Sequence, residues 1–164
     1  MTPNFKLAEF TRSRKAAECG IRNEPNIPET NNLKLLAEQL ETLRELWGGF
    51  AFRITSGFRC KGLNDAVGGS RSSFHLSGRA ADFVLTDSVY DRLSLDRLLI
   101  EKYHQTLAEL TAGDLHLDFA EFYLELDTRK ERPRWWIHFA IPVGSESRCV
   151  GFMRNGEFVG GGPR

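Results

Sequence analysis

Apolar positions recur along this chain with two periods. Leu33, Leu36, Ala37, Leu40, Leu43 and Trp47 fall three or four residues apart, which predicts an amphipathic helix with one buried stripe. Asn31 or Asn32 is the candidate cap at its start, after a loop over residues 23–32, and Gly48–Gly49 ends it. Leu95, Leu98, Leu99, Tyr103, Leu107 and Leu110 predict a second long helix, capped by Ser94, carrying a solvated His104 at its end and closed by Gly113. A short helix is expected at residues 63–67. Elsewhere the period drops to two. Phe50, Phe52 and Ile54 alternate with Ala51 and Arg53, and residues 80–85 read as a mostly buried strand. The apolar and aromatic runs 119–126 and 135–141 flank a charged stretch suited to a hairpin loop, and Asn155–Gly156 between residues 150–153 and 157–159 is a strong hairpin signal. Helices followed by neighbouring strands predict an α+β fold, an antiparallel sheet with helices packed on one side.

Composition narrows the function classes. At 164 residues, one domain over 1–164 is expected, long enough to bury a core without staples. Lysine plus arginine and aspartate plus glutamate number 22 each, a balance that argues against nucleic acid as the main partner. The longest apolar runs fall far short of a membrane span, and the first residues lack the basic-then-apolar pattern of a secretory signal, so synthesis in the cytoplasm without a leader is expected. Cys19, Cys60 and Cys149 are odd in number and far apart, which suggests reduced thiols rather than a disulfide framework or a thiolate metal site.

Three polar residues interrupt apolar surroundings. His75 sits in a glycine- and serine-rich loop, and Asp82 follows within a strand otherwise made of Ala80, Ala81, Phe83, Val84 and Leu85. A carboxylate there is costly to bury unless it is paired or bound to a metal. Imidazole and carboxylate both suit zinc, and a catalytic zinc site needs three protein ligands and one open position. His138, inside the apolar run 135–141, is the natural third ligand. Each residue also admits a plainer role: a hydrogen-bonded core histidine, or a carboxylate paired with Arg79 or Arg59. His116, ahead of the third strand, suits a structural role, with orientation of a ligand or polarisation of a substrate the alternatives.

The block Ser73-Phe74-His75-Leu76-Ser77-Gly78-Arg79-Ala80-Ala81-Asp82 resembles the S-x-H-x-x-G-x-A-x-D signature of the zinc D-alanyl-D-alanine carboxypeptidase family, which includes phage L-alanyl-D-glutamate endopeptidases and shares its fold with the Hedgehog signalling domain. Asn4-Phe5-Lys6-Leu7-Ala8-Glu9-Phe10 is similar to the N-F-x-L-x-E-F opening of one branch. Ile54–Arg59, Leu63–Ser70 and Trp136-Ile137-His138 resemble its I-T-S-G-[YF]-R, L-N-x-A-V-G-G-S and W-[VI]-H segments in the same order. The resemblance implies a Hedgehog/DD-peptidase-like fold, Zn2+ on His75, Asp82 and His138, and a substrate-clamping or oxyanion-stabilising role for Arg59.

The chain departs from the family where many members place an acidic base three residues before the second histidine: that position is Trp135. Phe119-Ala120-Glu121-Phe122-Tyr123-Leu124-Glu125 is similar to an F-D-Q-L-I-x-E strand of the same branch, which makes Glu125 the candidate base, with Glu121 and Asp127 next. The Trp135–Trp136 pair suits either core packing or a substrate groove. The resemblance further implies hydrolysis of peptidoglycan stem peptides by a monomer, after phage lysis or on a virion. The alternative is an inactive zinc-containing binding or structural module of the same fold.

Overall fold

The computed structural model describes residues 1–113, 115, 117–129, 131–142 and 148–163. Two short helices, α1 (Leu7–Thr11) and α2 (Arg14–Glu18), precede the long helix α3 (Ile27–Leu46). Strand β1 (Ala51–Ser56), helix α4 (Lys61–Ala66), a 3₁₀ turn (Phe74–Ser77), strand β2 (Ala80–Thr86) and the long helix α5 (Arg92–Ala112) follow. The chain ends in β3 (Glu121–Asp127), β4 (Arg134–Ala140), β5 (Cys149–Arg154) and β6 (Glu157–Pro163). The α+β class expected from the patterning is the class observed.

Both long helices begin earlier than the sequence reading placed them. Helix α3 is capped by Asn26, not Asn31 or Asn32: the Asn26 side chain accepts from Glu29 N, and Glu29 reaches back to Asn26 N. That reciprocal pair satisfies two orphan donors, and Pro28 in the first turn lacks an N–H that would need a partner. Helix α5 is capped by Asp91 rather than Ser94, whose N–H donates to the Asp91 carboxylate. Gly113 closes α5 with φ 80°, where a left-handed residue suits glycine. His104 is exposed as expected, but lies within α5 rather than at its end.

The strands form one six-stranded sheet in the order β1-β2-β4-β3-β5-β6. All neighbours are antiparallel except β3 and β5: β5 returns beside β3 rather than β4, and therefore runs parallel to it. The predicted β5–β6 hairpin turns at Asn155 (φ 55°) and Gly156 (φ 86°), the positive angles that a two-residue turn requires. One face of the sheet packs on α3 and α5. Phe52, Phe83, Phe122, Ile137 and Phe139 meet Leu36, Leu40, Leu43, Trp47, Leu99 and Tyr103 there, all buried. The Trp47 indole donates to Thr106 Oγ1 at 2.8 Å, tying the two helices together inside the core. Phe5 of the N-terminal segment packs on Phe52 and Phe10 packs on Phe5, both buried, so the opening motif seals the β1 edge of that core. No helix among the described residues is long and apolar enough to cross a membrane.

Candidate metal centre

Strand alternation sends every second residue to the face that the helices leave open. Asp82 on β2 stands opposite His138 on β4, and His138 stands opposite Tyr123 on β3, so three central strands place one row of polar groups side by side. On β3, Glu121 and Glu125 share the face of Tyr123, and on β4, Trp136 and Arg134 share that of His138. Position 135 lies one residue out of phase. Trp135 stacks on Phe152 at 5.8 Å, while Trp136 lines the cavity above the row. Position 135 therefore faces the core, and Glu125, paired across from Trp136, lines the cavity. At β1 the register shifts between Ile54 and Ser56, and Thr55 Oγ1 donates to the Asp82 carbonyl at 3.1 Å. A bulge beside a site re-aims the chain, and here it leads directly into the Gly57–Arg59 segment.

His75 reaches the row from the 3₁₀ turn, which Asn32 anchors to α3 through the Ser77 carbonyl at 2.8 Å. Gly78 ends the turn at φ 70°, and a side chain there would run into the Glu29 carbonyl. Gly57 allows no side chain either, because its Cβ would overlap the backbone of Phe10. Its carbonyl bonds His75 Nδ1 at 2.7 Å, which makes Nδ1 the protonated nitrogen and leaves the Nε2 lone pair free. His75 Nε2 then faces Asp82 Oδ1 at 3.3 Å. His138 is held from the other side. Its Nε2 meets Glu121 Oε2 at 3.0 Å, and its Nδ1 meets Asp82 Oδ1 at 2.8 Å.

His75, Asp82 and His138 each offer one ligand atom, and these atoms lie within 4.8 Å of one another. Zinc–ligand bonds of 2.0–2.1 Å at tetrahedral angles place ligand atoms roughly 3.3 Å apart, so separations of 3.3 and 2.8 Å need only small adjustment. The donor set is the nitrogen and oxygen type that zinc favours, and the outer nitrogen of each imidazole is fixed by an acceptor. The residues fit the metal. Above them lies a cavity of about 440 Å³ lined by Arg59, Ser73, Tyr123, Glu125, Trp136 and the three candidate ligands, among others.

The charges are arranged around Asp82. Burial opposes its ionisation, but the two imidazoles hold its carboxyl well below the usual range. Burial keeps His75 neutral against the pull of Asp82. His138 goes the other way: burial disfavours its cation, yet its hydrogen bonds to Asp82 and Glu121 lift it to about 10. Burial and the nearby Asp82 charge push Glu125 up to about 7, against the attraction of His138.

Arg59 lines the cavity and donates to Ser73 Oγ at 3.1 Å, while its Nε is buried without a partner. Asp65, on α4, pairs with Lys61. Arg79, which with Arg59 was one of two candidate partners for Asp82, lies over the Phe74 ring and bonds Ser77. Asp127 lines a neighbouring hollow and pairs with Arg129. His116 lies outside the described residues. Sequence reasoning named the row but missed Glu121 as the partner of His138, a contact that depends on strand register.

An α+β domain presenting two histidines and an aspartate on an open sheet face, with a carboxylate and a guanidinium beside them, defines a metallopeptidase class of site. The chain belongs to the Peptidase M15 family, whose model matches residues 3–115. Peptidases of this family are zinc-dependent in general. The match includes Arg59, His75 and Asp82 and ends before Glu121, Glu125 and His138, so those three rest on the geometry above. No curated protein matches the chain.

Proposed function

We propose that this protein is a zinc metallopeptidase that hydrolyses peptide bonds in peptidoglycan stem peptides, of the D-alanyl-D-alanine carboxypeptidase or L-alanyl-D-glutamate endopeptidase type. The observation that carries the reading is the convergence of His75 Nε2 and His138 Nδ1 on Asp82, with the far nitrogen of each ring already engaged. A zinc ion held there would supply Lewis-acid chemistry, polarising a peptide carbonyl and acidifying a water. Glu125, close enough to Asp82 and His138 to feel both charges, accepts the proton of the attacking water and passes it to the departing amine. Arg59 offers its guanidinium to the oxyanion or to a substrate carboxylate. Glu121 is engaged with His138 and serves to orient it. A base inside the cavity supports an active enzyme over the alternative of an inactive zinc module. The wider context remains that of the family resemblance: a single-domain monomer acting on the wall during phage lysis or from a virion.

Zinc titration tests the donor set. At pH 7 the metal-free His138 carries a proton, because its folded value is raised to about 10, whereas His75 is neutral and Asp82 ionised. Zinc must displace that proton, so calorimetry in buffers of differing ionisation enthalpy is expected to show about one proton released from His138, plus the fraction that Glu125 gives up as the metal lowers its value from about 7, and affinity rising at least about tenfold per pH unit between roughly pH 7 and 8. The same raised value means that the His138 ion pairs stabilise the metal-free fold fully below about pH 6.5 and fade as pH climbs through 10. Zinc binding with no proton release would remove His138 from the ligand set.

A further inference from the structure

The protein has no net charge, yet one flank of the metal cavity is strongly cationic. A groove of about 830 Å³ is lined by Arg12, Arg14, Lys15, Arg53, Arg59 and Arg134, and its one acidic residue, Glu18, is paired with Arg14 at 3.2 Å. Six cations against one neutralised carboxylate is far from the even mixture of the whole chain. Among the described residues, Arg12, Lys15, Arg53 and Arg134 have no carboxylate within ion-pair distance. The groove shares Arg59 with the metal cavity. A third hollow, lined by Arg53, Arg92, Arg134, Trp136 and one carboxylate, Asp127, which stands across from Arg134 and pairs with Arg129, joins the two on the other side, because Trp136 also walls the metal cavity.

Strand geometry sets the spacing. Arg134 lies four residues before His138 on β4, in phase with it on the open face, so the two backbones are separated by about 13 Å. Arg53 stands opposite Val84, two residues beyond Asp82, and also faces outward. A peptide extended from the metal at roughly 3.3 Å per residue therefore brings its second to fourth residue over these arginines. Unpaired guanidiniums at that distance recognise carboxylates, bidentately where the geometry allows.

We propose that this cationic flank is a substrate subsite for free carboxylates lying two to four residues from the scissile bond, so that the protein selects acidic peptides over their amidated counterparts. The proposal rests on the peptidase reading for which bond is cut, but not for whether the acidic peptide binds. It extends recognition beyond the single arginine at the metal.

The test is equilibrium binding to metal-stripped protein, which cannot turn the peptide over by the proposed chemistry. Fluorescence anisotropy would compare two stem peptides of equal length, one with free carboxylates and one with those carboxylates amidated, on the wild type and on Arg53→Gln/Arg134→Gln. Both arginines are exposed, so the double variant is expected to keep the wild-type melting temperature and zinc content. Expected is at least a roughly tenfold preference of the wild type for the acidic peptide, shrinking with salt and absent in the double variant. Equal affinity for both peptides, a preference that survives in the double variant, or tighter binding of a phosphodiester oligomer than of the acidic peptide overturns the proposal. A zinc-loaded protein that cuts nothing would sink the peptidase reading while leaving this binding result intact.

Discussion

Replacing His138 with alanine is expected to remove zinc and activity together. The ring offers one of the three candidate ligand atoms, so on the proposed reading metal content in the purified variant should fall from one zinc per chain to a trace. Loss of an outer-shell partner typically costs about 10–100-fold in metal affinity or activity, and loss of a ligand should exceed that range. The fold should suffer as well. In the metal-free protein His138 stands between Asp82 and Glu121, and without it two carboxylates face each other near Glu125 with no cation between them. Breaking a buried ion pair on one side commonly costs about 3–5 kcal/mol, and the partial exposure of Asp82 and Glu121 places the expected loss at the lower end. His75→Ala should lose zinc similarly, and elemental analysis with thermal melts checks both. Unchanged zinc content in either variant would remove that residue from the metal site.

Glu125→Gln separates chemistry from binding. The amide keeps the shape of the side chain and cannot accept a proton, so kcat/KM should drop by about 10²–10⁴-fold with zinc content and melting temperature preserved. The pH profile gives a second readout. A base works deprotonated, so wild-type activity should fall as pH drops through the Glu125 value. That value is about 7 without metal and lower with it, because a nearby cation favours the carboxylate. The acid limb should be absent from the residual activity of the variant. Full activity in Glu125→Gln would transfer the role to another carboxylate.

How much of this was legible in the sequence depends on what each residue needed from its neighbours. Asp82 and His138 could be read because each breaks an apolar strand, which carries a cost that local sequence shows, whereas His75, in a glycine- and serine-rich loop, stood out through the motif it shares with Asp82. The central strands and the stripes of the two long helices could be read for the same reason. The Asn26 cap was legible too, since Asn26-x-x-Glu29 is a capping box, but the later asparagines drew the helix start toward them. The Glu121–His138 bond was not legible, because it exists only once β3 and β4 adopt a register that sets Tyr123 opposite His138. The parallel β3–β5 pair depends on which edge the last hairpin joins, and alternation along a strand is silent on that. The cationic groove was hidden by the overall charge balance, since its residues are scattered from Arg12 to Arg134 and meet only in the fold.

The central claim is that zinc on His75, Asp82 and His138 makes this chain a cell-wall peptidase. Its most direct test is digestion of purified peptidoglycan with zinc-loaded protein, with chelator present or absent, followed by mass spectrometry of the released fragments. The account predicts new amino groups at one kind of stem-peptide bond, their loss on chelation and their return when zinc is restored; the fragment masses then identify the bond. Fragments released equally in chelator, or no cleavage of peptidoglycans of several chemistries by protein that holds one zinc per chain, would contradict it.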